Sequence, residues 1–111
     1  MSSETITMSL EEVESLSCRA LMENGTSEGN ARSVAQSIRA AEAAGIRSHG
    51  LARLATYCEH ARSGKVDGLA VPMLERLGPG ALRVDARTGF AHPAIETVSY
   101  THLTLPTILR V

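Results

Sequence analysis

The sequence predicts an α/β chain in which a helical N-terminal segment of three helices leads into the first strands of a mixed sheet. Apolar residues recur at helical intervals between capping signals as far as Gly64, and beyond it they gather into short runs divided by Gly- and Pro-rich turns. Composition sets the kind of core. Hydrophobic residues fill 43% of the 111 positions, yet Tyr57, Phe90 and Tyr100 are the only aromatics, so Ala, Leu, Val and Ile must build the interior. The helical segment is drawn at residues 1–65 and the start of the sheet-bearing unit at 66–96.

Ser9 and Glu12 have capping-box spacing, and Leu10, Val13, Leu16, Ala20 and Leu21 follow at helical intervals, which predicts a first helix from Leu10 to Asn24. A second begins near Ser27. It places Ala31, Val34, Ala35, Ile38 and Ala41 on one stripe and Arg32, Gln36, Arg39 and Glu42 on its outer face, and it stops where Gly45 can take a left-handed cap. The third runs from Ser48, as N-cap, to Ser63-Gly64, with Leu51, Leu54, Ala55 and Cys58 turned inward.

Val71 to Leu77 and Ala81 to Val84 read as strands joined across Gly78-Pro79-Gly80. That connection lacks the GxGxxG pattern and a following Lys-Ser/Thr, so it is a hairpin turn and no phosphate loop. Asp85 to Gly89 forms a second turn, and Pro93 sits in the first turn of a further helix, where its missing N–H costs nothing.

The net charge is −1 and Lys and Arg are scattered, which argues against nucleic acid or an anionic membrane as a partner. Cys18 and Cys58 have no second ligand at metal-type spacing and read as reduced thiols packed on helices; no metal is expected. No stretch approaches the ~20 apolar residues of a membrane span, and the N-terminus has no basic start or apolar run. A cytoplasmic location is the resulting expectation.

The last residues are expected to have a separate origin. Val98 to Thr107 read VSYTHLTLPT, which GTC TCT TAT ACA CAT CTG ACG CTG CCG ACG encodes, a string that resembles in frame the adapter of transposon-based sequencing libraries. Thr97 to Val111 are therefore expected to be an artefactual tail, and the functional reading rests on residues 1–96.

His49, Arg53 and Tyr57 are spaced four residues apart, so on a continuous helix they share one face at intervals of ~6 Å. A helix start beside them would add unpaired N–H groups and partial positive charge, and Arg53 offers a fork for a carboxylate. Spacing alone supports a plainer reading as well: Ser48 caps, His49 is solvated, and Arg53 and Tyr57 flank the core with no ligand. Two other classes compete with an enzyme. A helical module that binds nucleic acid is disfavoured because the stretch from Ser48 to Ser63 carries two Arg and one Glu, short of a basic recognition helix. An oligomerisation module would use the helix stripes for packing only.

The order Ser48-His49-Gly50-Leu51-Ala52-Arg53-Leu54-Ala55-Thr56-Tyr57 resembles the SHGxxRxxxY signature of the malate/L-lactate dehydrogenase family of NAD(P)-dependent oxidoreductases, which is distinct from the Rossmann-fold lactate dehydrogenases. Ala35 to Ile46 (AQSIRAAEAAGI) is similar to the family's second helix, with Glu42 where many members have Asp. Val84-Asp85 and Gly89 to Ile95 resemble its VD…GFAHPAI segment.

The resemblance implies a non-Rossmann α/β fold of which this chain is an N-terminal fragment, with residues 66–96 beginning the cofactor/substrate domain. It implies hydride exchange between NAD or NADP and a small 2-hydroxy or 2-oxo acid of the malate, lactate or sulfolactate type. Reduction of a cyclic imino acid, or ureidoglycolate oxidation, is the alternative within the family. His49 becomes the catalytic acid/base or the group that polarises the substrate, Arg53 the carboxylate anchor, and Ser48 and Tyr57 orienting groups; a catalytic lysine would lie further along. The GFAHPAI wording leans toward sulfolactate or malate. His92 in that segment could line the site but reads first as structural or exposed, and His60, beside Glu59 and Arg62, as surface. The resemblance further implies a homodimer and a fragment that is inactive by itself.

Overall fold

The computed structural model describes residues 5–78, 81–101 and 107–110. Helix α1 spans Leu10–Glu23, α2 Glu28–Ala43, α3 Leu54–Ser63 and α4 Ala91–Thr101; strands β1, β2 and β3 span Met73–Gly78, Ala81–Asp85 and Thr107–Arg110.

Local chemistry explains the first two helices. Ser9 Oγ accepts the Glu12 N–H at 3.1 Å while Glu12 Oε1 accepts the Ser9 N–H at 2.9 Å, so two otherwise orphaned donors are satisfied at the start of α1. The Ser9 bonds also hold the Glu12 carboxyl below its usual pKa. Ser27 caps α2 through the Asn30 N–H, and Gly45 follows its end with φ +76, a backbone that residues with a Cβ rarely adopt.

The two helices bury a shared seam in which Val13 and Leu21 cluster with Ala31, Val34 and Ile38, Phe90 closes the cluster, and Ser17 and Ala35 are buried on the same helices. Burial of Leu21, Val34 and Ile38 contributes about 1.5–3 kcal/mol each. The seam differs from the expected stripe. Leu10 and Leu16 are exposed, and Ser17 takes the inner position because it lies one turn from both Val13 and Leu21.

The third helix needs the larger correction. In place of an α-helix from Ser48, the chain forms two 3₁₀ turns, Arg47–His49 and Leu51–Arg53, and α3 starts only at Leu54 with no side-chain cap. Gly50 divides the turns with φ −94 and ψ −136, far from helical values. Leu51, Leu54 and Cys58 are half-buried against the helical core as expected, but Ala55 is exposed.

Beyond α3, Asn30 donates to the carbonyls of Gly68 (3.0 Å) and Ala70 (2.7 Å), tying the segment before the sheet to the start of α2. β1 and β2 then pair antiparallel, Met73 opposite Asp85 and Leu74 opposite Val84, which is the expected hairpin; its tip, residues 79–80, lies outside the described residues. β3 runs parallel to β2, giving the order β1-β2-β3; the sheet is mixed only through β3, and the pair within residues 1–96 is antiparallel. β3 and the last turns of α4 belong to the segment expected to be artefactual, of which residues 102–106 and 111 lie outside the described residues.

The turn from Asp85 to Gly89 is held by Asp85 Oδ1 on the Arg87 N–H (2.9 Å) and by the Ala86 carbonyl on the Gly89 N–H (2.9 Å). Arg87 (φ 56) and Thr88 (φ 67) both adopt left-handed backbone, a strain of about 1 kcal/mol or more each that these bonds offset. Pro93 stands in the first turn of α4, where no intrahelical N–H is required. No helix among the described residues is long and apolar enough to cross a membrane.

Candidate active site

Ser48 and His49 share the first 3₁₀ turn, Arg53 ends the second, and Tyr57 follows on α3. The break at Gly50 removes the continuous helical stripe on which the three spaced side chains were expected to lie. A tighter arrangement replaces it. Arg53 folds back so that its Nε donates to the Ser48 carbonyl at 3.2 Å, and the Arg53 N–H donates to the Gly50 carbonyl at 3.0 Å. Ser48, His49 and Arg53 are all exposed, as is Arg47, so one short segment presents an imidazole and two guanidinium groups to solvent. Such a surface attracts small anions, and the planar Arg fork matches a carboxylate.

What fixes these turns is Glu42. Read from sequence as an outer-face residue of α2, it is half-buried, and its Oε1 accepts the Leu51 N–H at 3.0 Å. The same carboxylate lies against Gly50: a Cβ there would come within 2.7 Å of Glu42 Cδ. A side chain at Gly50 would push the Glu42 carboxylate off that bond, and the bond satisfies a first-turn N–H that a helix start would leave unpaired. Spacing within the SHG segment carries no trace of this bond, because its acceptor lies nine residues upstream.

Tyr57 has aromatic neighbours. It is half-buried and packs edge-on against Phe90 (centroids 5.9 Å apart, 82°) and His92 (5.6 Å, 75°). His92 is half-buried too, its Nδ1 has no hydrogen-bond partner among the described residues, and burial pushes its pKa down. Burial likewise raises the pKa of the Cys58 thiol, against the pull of Arg62 and a hydrogen bond from Asn24; Cys18 and Cys58 are both free and half-buried. Two surface hollows, one along Met8 to Arg19 and one across Met73, Leu74, Glu75, Arg83 and Asp85, contain none of the four signature residues.

Known proteins share this arrangement of chain. The Delta(1)-pyrroline-2-carboxylate reductase of Ancylobacter novellus is 46% identical over 94 residues, which are 85% of this chain and 28% of that protein. The (2R)-3-sulfolactate dehydrogenase (NADP(+)) of Chromohalobacter salexigens is 44% identical over 88 residues, 79% of this chain and 26% of that protein. The solved delta1-piperideine-2-carboxylate reductase from Pseudomonas syringae pvar. tomato superposes with a TM-score of 0.81 at 38% identity, over 86% of this chain and 29% of that one. The chain therefore spans a little over a quarter of the length of the relatives it matches. Residues 8–102 match the family described as malate/L-lactate dehydrogenase, a match that reaches past Glu96 as far as His102, and the chain belongs to that family.

Proposed function

We propose that this chain carries the acid-binding part of an NAD(P)-dependent oxidoreductase whose substrate is a small carboxylic acid with a C=N or C=O bond beside the carboxylate. The observation that carries the reading is the turn pair fixed by Glu42, which sets His49 and Arg53 in one exposed segment. Arg53 anchors the carboxylate through its fork. His49 gives a proton to the substrate nitrogen or oxygen in reduction and takes it back in oxidation, and Ser48 and Tyr57 orient the acid. When bound, NAD or NADP supplies or accepts the hydride at the adjacent carbon.

The nicotinamide site is assigned to the remainder of a longer enzyme, of which this chain is the N-terminal part, because the chain spans a little over a quarter of its relatives' length. We further assign Thr97 to Val111 to an artefactual tail, on the strength of its in-frame match to adapter sequence. The parent is taken to be a homodimer, as the family resemblance implies, and to act in the cytoplasm.

For substrate, the reductases of cyclic imino acids among the relatives, at up to 46% identity, support an imino acid such as pyrroline-2-carboxylate over the sulfolactate or malate type suggested by the GFAHPAI wording. The sulfolactate dehydrogenase at 44% identity keeps a hydroxyacid as the second reading. Oxidation of NADH and NADPH by the full-length enzyme, followed with 1-pyrroline-2-carboxylate and with 2-oxo acids in parallel, separates the two. Faster turnover of the imino acid is expected; turnover of neither class would overturn the reading.

A further inference from the structure

We propose that His92 is a positioning residue of the acid site that acts by holding the ring of Tyr57. The inference rests on the reading of Tyr57 as part of that site. Three rings from two segments meet here: Tyr57 on α3, and Phe90 and His92 at the start of α4. Phe90 is buried in the helical core, so it serves as the fixed wall, and His92 closes on Tyr57 from a second direction with its ring 75° to the phenol ring. Such edge-to-face contacts fix orientation as well as bury area.

The imidazole packs chiefly through its ring. Its Nδ1 is buried with no hydrogen-bond partner among the described residues, and its ring pairs with Tyr57 and Phe90. Burial favours its neutral form, in which the ring packs without a charge to solvate. His92 thereby couples the first turn of α4 to the segment that begins at Ser48, and the pose of the Tyr57 phenol depends on a residue that need not touch the substrate.

The test is steady-state kinetics of the full-length enzyme with 1-pyrroline-2-carboxylate, with melting temperature measured on every variant. His92→Ala should raise KM about fivefold, the size of one edge-to-face contact, with kcat within about twofold. His92→Phe, which keeps an aromatic edge, should return KM to within about twofold of the unaltered enzyme. Should His92→Ala fail to fold, His92→Leu fills the space without that edge and should show the same rise. In a Tyr57→Phe background the phenol is already gone, so losing His92 should raise KM no further. An equal rise in both backgrounds, or no rise from His92→Ala and His92→Leu, overturns the inference. Arg53→Ala keeps the two ideas apart. If it and Tyr57→Phe leave KM unchanged, the acid-site reading itself fails; if they raise KM and loss of His92 does not, only the role of His92 falls.

Discussion

The helical half and the hairpin of this chain differ in how completely each covers its own apolar side chains. Leu21 and Val34 are 0% exposed and Ile38 is 1% exposed, whereas Leu69, Val71 and Met73 around the start of β1 are 68%, 74% and 54% exposed. Two capped amphipathic helices can bury a common seam between themselves. A hairpin has two faces and an outer edge, and α4 covers part of one face through Val84, Ala86 and Ala94. The signature residues sit where the halves meet: Glu42 anchors the Ser48–Arg53 turns to α2, while Tyr57 reaches the rings that precede and begin α4.

That contrast can be broken first in the helical seam. Leu21→Ala or Ile38→Ala should cost about 2–5 kcal/mol in urea unfolding, because each opens a cavity in a fully packed site. A loss below about 1 kcal/mol would show that the helices do not pack as described. At the junction, Gly50→Ala should cost about 1–3 kcal/mol, since its Cβ displaces the Glu42 carboxylate and orphans the Leu51 N–H. Glu42→Ala should remove most of that penalty when the two changes are combined, and additive costs would refute the clash.

A smaller effect is expected at the start of α1. Ser9→Ala should cost about 1 kcal/mol by removing half of the capping box. The Glu12 carboxyl is depressed by Ser9, so its share of stability is present above the carboxyl's unfolded pKa and is lost as pH falls through the lower folded value. In Ser9→Ala, that acid-side loss should shrink. Least of all should follow from Met73→Gln on the hairpin, within about 0.5 kcal/mol, and a loss comparable to that of Leu21→Ala would erase the contrast.

Sequence made some of these features legible and hid others for physical reasons. The boundaries of α1 and α2 were readable because caps act over three or four residues, as Ser9 with Glu12 and Ser27 with Asn30 demonstrate. The hairpin was readable because Gly78-Pro79-Gly80 separates two apolar runs. The start of α3 departs from expectation at Gly50, whose ψ of −136 breaks the run of helical angles and whose close neighbour, Glu42, lies on another helix. Asn30 escaped notice for a similar reason: its partners, Gly68 and Ala70, lie 38 and 40 residues away. Leu10 and Leu16 were assigned inward on hydrophobicity, yet the inner position fell to Ser17 because seam geometry decides which face is covered. At the site, residue types and order were legible; the fold of Arg53 onto Ser48 and of Tyr57 onto His92 was not.

The most direct test of the central claim, that Arg53 anchors a substrate carboxylate beside His49, is kcat/KM for Arg53→Ala in the full-length enzyme. Loss of a charge-assisted pair predicts a fall of about 100-fold for a 2-imino or 2-oxo acid, and no difference between variant and unaltered enzyme toward the corresponding carboxamide. A fall of less than about twofold for the acid, or an equal fall for acid and amide, would contradict the account.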